Sequence, residues 1–358
     1  MREFWGNNNM GWERKLSALF VHLMGGYMGR VAVVDGDLFK YECAFAGELR
    51  SVLVTNEIGF IHEYKTRTEF YGRSRKRDGG ELAKINKRDG TNYTAGDFSY
   101  TDIQVSEPPS RVVESTKNAV DSALRLSGCK NYIFYMGEGE SFRVERSTLL
   151  RYKGERASQI KPLLIGHITE FLYKQYSGIE VSGIETDDKV VEVAYRKPDH
   201  FVLCVDKDAF SQPVKVFDIN TPSRGIVDCT GFGDLFIDKK SKSMKIRGSG
   251  RMHLYWQCLA GDAVDNIKPN CFSEMKLGDK GAFDLLKDCK NDKEAFQVLK
   301  DTYQKMYPES KEVIGWRGDK ITIDYLYVFD EVFDLLRMVR FEGDKVVGRE
   351  VMKKLVGL

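Results

Sequence analysis

Histidine is scarce in this chain: five residues in 358, at positions 22, 62, 167, 200 and 253, with no H-x-x-x-H or H-E-x-x-H grouping. That argues against a zinc hydrolase built on paired imidazoles. The seven cysteines include no C-x-x-C pair, and an odd number leaves at least one thiol unpaired. A reducing cytoplasm is the expected setting. No G-x-x-x-x-G-K-[ST] stretch occurs, which argues against an NTP-driven motor. Long apolar runs are missing too. The most apolar N-terminal stretch, Leu16–Met24, is interrupted by His22 and preceded by acidic residues. It fits neither a signal peptide nor a span of roughly 20 residues, so neither export nor membrane anchoring is expected. Nor is there an excess of charge of one sign, with 55 Lys+Arg against 53 Asp+Glu.

What is present is a composition that folds: 42% hydrophobic and 12% aromatic, far from the signature of disorder. Charge is distributed in blocks. Basic residues cluster at Lys65–Arg88, Arg143–Lys161 and Lys239–Arg251, and acidic ones at Asp35/Asp37, Glu185/Asp187/Asp188, Asp206/Asp208 and Asp262/Asp265. A single basic cluster is most simply a solvated face. Together with acidic groups able to hold metal, the clusters read as a nucleic-acid footprint.

Apolar patterning predicts a buried strand at Arg30–Val34, a helix at Leu38–Ala46 and a hairpin within Leu49–Phe70. An exposed Gly/Lys/Arg/Asp-rich insertion is predicted over 71–96. Then come a helix at Val112–Leu126, a strand at Tyr132–Met136, helices at Ile160–Tyr176 and Glu185–Tyr195, and a strand at Phe201–Val205. Strands alternating with helices imply an α/β fold with a mainly parallel central sheet flanked by helices. Asp35 and Asp206 each follow a predicted strand, which puts both at the carboxyl edge where such sheets carry their sites. After Lys207 short strands and a basic hairpin are expected, and from Met252 onward an almost wholly helical region. A soft boundary is expected near 250. This gives an N-terminal extension (1–29, with a short helix at Leu16–Met24), an α/β core (30–250) and a helical C-terminal part (251–358).

The acidic groups carry the chemistry. In Val-Val-Asp-Gly-Asp (33–37) a buried strand stops at Asp35, and Gly permits a tight turn; an ordinary strand-end turn has the same sequence. Glu185 and Asp188 share a helix face, although acidity at a helix start also suits the macrodipole. Asp206/Asp208 repeat the strand-end pattern, and Asp262/Asp265 are expected one helical turn apart. Carboxylates converging on one cleft repel unless cations compensate, and hard oxygen ligands suit Mg²⁺ or Mn²⁺. Two such ions about 3.5–4 Å apart are the arrangement used for in-line phosphodiester hydrolysis.

In order and spacing these motifs resemble the flap-endonuclease family of 5′ nucleases, most of all phage exonucleases of the T7 type. The likeness runs over roughly residues 30–290. It rests on Val-Val-Asp-Gly-Asp (33–37), Ser-Phe-Arg (141–143), Tyr-Lys-Gly-Glu-Arg (152–156), Glu-Thr-Asp-Asp (185–188), Asp-Lys-Asp (206–208), Gly-Asp-x-x-Asp-Asn (261–266) and Gly-Asp-Lys-Gly-Ala (278–282). The resemblance implies a PIN-like 5′ nuclease fold with a helical arch or clamp near 143–178 and a helix–turn–helix duplex-binding element within Asp262–Leu286. It implies two Mg²⁺ ions, replaceable by Mn²⁺, held by Asp35, Glu185, Asp187, Asp188, Asp206, Asp208, Asp262 and Asp265. The ninth carboxylate of the family falls on Met136 or Glu138, and Glu138 is chosen because only it can serve a cation.

It further implies that Lys153 and Arg156 face the scissile phosphate, Asp35 and Asp206 being central to catalysis, with Arg143, Gly278 and Lys280 on the DNA backbone. A potassium site at the helix–turn–helix is doubtful, because Asn266–Asn270 lacks the usual glycines. The implied activity is 5′→3′ exonuclease or 5′ flap endonuclease on DNA with a free 5′ end, gap or flap, and on RNA–DNA hybrid, in phage replication or recombination. Two other classes fit parts of the pattern: a structure-specific DNA-binding protein that has lost catalysis, and a PIN-type ribonuclease.

Overall fold

The computed structural model describes residues 29–72, 79–156, 159–238 and 244–358. The expected helix at Leu16–Met24 and the rest of 1–28 lie outside them. The chain forms two compact units. One takes in Phe39–Asn118 and Lys161–Phe171; the other takes in Ala119–Ile160 and Leu172–Leu358, together with the strand that precedes Leu38. The expected boundary near 250 is not a division between units. The division instead runs through the helices Gly36–Ala46, Pro109–Ser127 and Ile165–Tyr176.

The smaller unit contains the antiparallel strands Glu48–Thr55, Ile61–Tyr64 and Ser99–Ser106, with the first in the middle. The alternation that predicts this hairpin buries Val52 and Val54 on one face, where they pack with Tyr64, Phe70 and Phe98. The predicted 71–96 insertion is not a bare loop. Its helix Glu81–Asp89 inserts Leu82 and Ile85 into that same core and stops at Gly90, whose φ of +67° is the left-handed conformation glycine tolerates. Residues 73–78 lie outside the described residues.

In the larger unit the main sheet has six strands: β1 Val31–Asp35, β2 Asn131–Glu138, β3 Ile179–Ser182, β4 His200–Cys204, β5 Lys215–Asp218 and β6 Ile226–Asp228. Their spatial order is β3-β2-β1-β4-β5-β6, all parallel except β6, which runs antiparallel to β5. β1 is apolar up to its last residue because, at the centre of a parallel sheet, both of its faces are covered. Helix α1, Thr186–Ala194, packs Val190, Val191 and Ala194 onto Val33, Val202 and Val216.

The C-terminal part is helical: α2 Gly250–Ala260, α3 Asp279–Leu286, α4 Asp292–Met306, α5 Tyr325–Leu336 and α6 Gly348–Val356. A small hairpin, Lys311–Ile314 with Lys320–Ile323, interrupts the helices. α2 is buried nearly all round and anchors a core that includes Leu254, Phe296, Leu299, Tyr303 and Phe329. α2 and α3 pack on one another across a long turn-rich connection rather than a short turn. Among the described residues no helix is long and apolar enough to cross a membrane.

Candidate active site

β1 and β4 are neighbours in register, with Val34 opposite Leu203, so Asp35 and the Asp206 turn emerge side by side at the carboxyl edge. The chain turns directly into a helix at Gly36. A Cβ there would lie 2.3 Å from the Phe134 ring and 2.5 Å from the Tyr135 carbonyl oxygen, so only glycine lets Asp35 sit this close to β2. Asp35 accepts the Asp37 N–H at 3.0 Å. Asp37 in turn accepts the Gly137 N–H at 3.1 Å and the Thr186 hydroxyl at 2.7 Å, joining β2 and the first turn of α1 to the same corner.

From that first turn Asp187 meets Asp35 carboxyl to carboxyl. Burial, with the charges of Asp37 and Asp206 added, pushes Asp35 up to about 7. Asp187 is raised well above the carboxylate range by burial and by Asp35, Asp206 and Glu185. Among the described residues neither forms an ion pair.

Asp188 goes elsewhere. It is fully buried and accepts the Glu185 N–H at 3.3 Å as the return half of a capping box, and the Val339 N–H at 2.8 Å. Its other partner is Arg143, which is 2% exposed and clamps both carboxylate oxygens. The same guanidinium donates to the Leu335 and Arg337 carbonyls, at 2.9 and 3.2 Å, and to Glu185 at 3.2 Å. A guanidinium has five N–H donors, and these five bonds use them all. Two expectations are therefore corrected: Asp188 is held by an arginine in the interior rather than offered to a cation, and Arg143 is not presented to a phosphate.

Glu185, the N-cap of α1, has three side-chain donors. Lys153 pairs with Oε1, while Tyr152 Oη at 2.8 Å and Arg143 share Oε2. Burial pushes Glu185 up, but Lys153 and Arg143 outweigh it and the net shift is down. Lys153 is set by a left-handed backbone, φ +52°, and by its N–H donating to the Asp265 carbonyl at 3.0 Å. Asp265 takes Tyr152 Oη at 2.9 Å and Arg156 at 3.1 Å. Lys153, Arg156, Glu185 and Asp265 are thus brought together, the two cations paired with the two carboxylates.

The last group surrounds Lys207. Asp206 caps the short helix Lys207–Ser211 by accepting the Asp208 N–H at 2.8 Å. The Lys207 ammonium lies 2.5 Å from Asp262 and 3.8 Å from Asp208, which Gln257 of α2 also reaches. Asp208 is raised well above its usual range by burial and Asp206; Asp262, pushed up by burial, is pulled lower overall by Lys207 and by the Val264 and Asp265 N–H groups. Asp262 and Asp265 are not on a helix. Asp262 pairs with Ile267 across a tight turn, N–H to carbonyl at 2.9 and 2.8 Å, and its carboxylate caps that turn.

Glu138 stands apart. It ends β2 three residues beyond the level of Asp35, roughly 10 Å along the strand, and is exposed. Met136 is buried in the core. Gly278 caps α3, with open space around its Cα, and Lys280 is exposed in an ion pair with Asp284 one turn on. Both lie at the start of α3.

Four participants were not nominated from the sequence: Asp37, Lys207, Tyr152 and Gln257. The first three lie inside the quoted motifs, so their position was the available signal; Gln257 sits on a helix face with no such mark. As placed, no group of three His, Cys, Asp or Glu side chains among the described residues is arranged to hold a metal ion. No protein-family model matches this chain, and no curated protein is similar to it.

Proposed function

We propose that this chain is a divalent-cation-dependent phosphodiester hydrolase acting on DNA with a free 5′ end, gap or flap, and on RNA–DNA hybrid, as a 5′→3′ exonuclease or flap endonuclease. The observation that carries the reading is the set of carboxylates Asp35, which is buried, and Asp187, Asp206 and Asp208, which are half-buried, gathered at one sheet edge where desolvation and then mutual repulsion raise three of them. Such a cluster is costly without added positive charge, and its all-oxygen donors match Mg²⁺ or Mn²⁺ in chemistry. The donors fit in charge and type, although they do not form a ready cage. Asp35, Asp187, Asp206 and Asp208 would hold the cations, with Glu185, Asp262 and Asp265 joining when their lysines and Arg156 turn away.

Bound cations supply Lewis-acid stabilisation and water activation. The chain's own contribution is orientation and charge: Lys153 and Arg156, fixed beside Glu185 and Asp265, meet the phosphate at the rim of the cluster. Host cytoplasm during phage replication or recombination is the proposed setting, in keeping with seven free thiols. Incubation of 5′-labelled duplex, flap, hybrid and RNA strands with Mg²⁺ or EDTA tests the reading. Cleavage of DNA 5′ ends with Mg²⁺, lost in Asp35→Asn, supports it. Binding without cleavage, or cleavage of RNA alone, overturns it in favour of a binding protein or a ribonuclease.

A further inference from the structure

Trp316 stands at the tip of the C-terminal hairpin, which docks on the segment leading into Lys153 and Arg156. Its N–H donates to the Thr148 carbonyl at 3.3 Å and its indole Nε1–H to the Ser147 carbonyl at 2.7 Å, so backbone and ring are both tied down. A Cβ on Gly315 would lie 2.5 Å from the same Thr148 carbonyl oxygen, so only glycine lets the tip come this close. Glu331 of α5 also holds this stretch, accepting the Thr148 and Leu149 N–H groups at 3.0 and 2.9 Å.

Two guanidinium groups lie over the indole, Arg317 at 4.2 Å and Arg151 at 5.5 Å from its ring centre. Attraction to a ring uses none of a guanidinium's N–H donors. The two arginines differ in what those donors do. Arg317 spends them on the Ser147, Val144 and Glu145 carbonyls, at 2.6, 2.7 and 3.0 Å, at the end of the helix Phe142–Arg146. Arg151 is exposed, and among the described residues its side chain makes no hydrogen bond or ion pair. Its backbone is fixed, because its carbonyl accepts the Asn266 amide at 3.0 Å from the turn that carries Asp262 and Asp265.

We infer that Arg151, steadied over Trp316, is a backbone-phosphate contact for a nucleic-acid strand, added to Lys153 and Arg156 on the same segment. This rests on the nucleic-acid reading above. A guanidinium presents paired N–H groups that match two phosphate oxygens. The ring restrains a long side chain before the strand arrives, which lowers the entropy lost on contact.

Anisotropy of 5′-labelled single-stranded and duplex DNA oligonucleotides, titrated with the full chain in EDTA across a salt series, reads the contact apart from cleavage. Arg151→Gln should weaken binding about tenfold and lower the salt slope by about 0.7–0.9. Trp316→Leu keeps the charge and loses its restraint, so affinity should fall about three- to tenfold with the slope unchanged. Trp316→Phe, which keeps a ring, should lose less and guards against a folding defect in the Leu variant. Lys320→Gln removes an exposed charge from the same hairpin and should move the slope by less than about 0.3.

An unchanged slope in Arg151→Gln, with the wild type binding, overturns the contact and leaves the nuclease reading standing. So does an equal fall in Lys320→Gln, which would reduce the effect to bulk charge. Displacement of the oligonucleotide by inorganic phosphate at matched ionic strength, seen with Arg151 and lost without it, would make this a small-anion site and overturns the strand contact. Full affinity in Trp316→Leu refutes the part given to the ring. A wild type that binds neither oligonucleotide overturns both the contact and the nucleic-acid reading.

Discussion

Replacing Arg143 by Met separates the role the sequence suggests from the one the structure assigns. In the fold this guanidinium spends all five donors on Asp188, Glu185 and two carbonyls at the C-terminal end of α5. Asp188 has no solvent exposure, so in the variant its charge is left with only the Glu185 and Val339 N–H groups. Breaking a buried pair in this way costs about 3–5 kcal/mol, because the surviving charge stays desolvated. The Leu335 and Arg337 carbonyls lose a donor each, adding to the cost.

Removing both partners together, as in Arg143→Met with Asp188→Leu, should recover a large part of that loss, since an apolar pair of similar volume avoids the orphaned charge. Urea unfolding of the wild type, both single variants and the double variant measures the cycle. A surface phosphate contact behaves otherwise: Arg143→Met would then unfold at the wild-type urea concentration and would instead lower the salt dependence of DNA binding by about one ion. That pair of results would refute the interior clamp.

Glu138→Gln is expected to leave cleavage and its Mg²⁺ dependence unchanged, since Glu138 is exposed beyond the cluster; a steep loss across a metal titration would return it to the ligand set. Lys153→Ala should lower the single-turnover rate by two or more orders of magnitude, about 3 kcal/mol or more, at saturating enzyme. Recovery of the rate there would leave only a binding role. His253 is held down to about 3, by burial and then by the Lys207 and Arg247 charges, against about 6.5 when unfolded. Its stabilising contribution is therefore complete above pH 6.5 and is lost as the pH falls toward 3, by up to about 1.4 kcal/mol per pH unit. The stability of His253→Gln should fall less steeply than wild type between pH 6 and 4, and parallel curves would rule out the assignment.

Strand and helix positions in the α/β core were legible because β1, β2 and β4 are short apolar runs ended by polar turns, a pattern set by burial on both faces. The common edge of Asp35 and Asp206 followed from that. Partner choice was not legible. Asp187 and Asp188 are adjacent and chemically identical, yet one meets Asp35 and the other Arg143, because successive helix positions point about 100° apart and the second faces the chain that returns at Val339. The place of Glu138 was not legible for a related reason: charge says which residue can bind a cation, while strand register sets how far along β2 it stands from Asp35. The 71–96 segment reads as solvated from its charges, and only Leu82 and Ile85, three apart, betray a helix docked on the hairpin.

The Arg143 clamp also gives the molecule a timetable. Its carbonyl partners are at Leu335 and Arg337, and the N–H that completes Asp188 belongs to Val339, nearly two hundred residues after Arg143 itself. Chains emerge from the ribosome from the N-terminus at roughly 5–20 residues per second. Asp265, the last carboxylate of the cluster, precedes Val339 by 74 residues, so for about 4–15 seconds on that scale a nascent chain carries every carboxylate and still lacks the strap that fixes the first turn of α1. In a half-made copy Asp188 therefore lacks its Val339 N–H, and Arg143 its two carbonyl partners, until α5 and the residues just after it have been made.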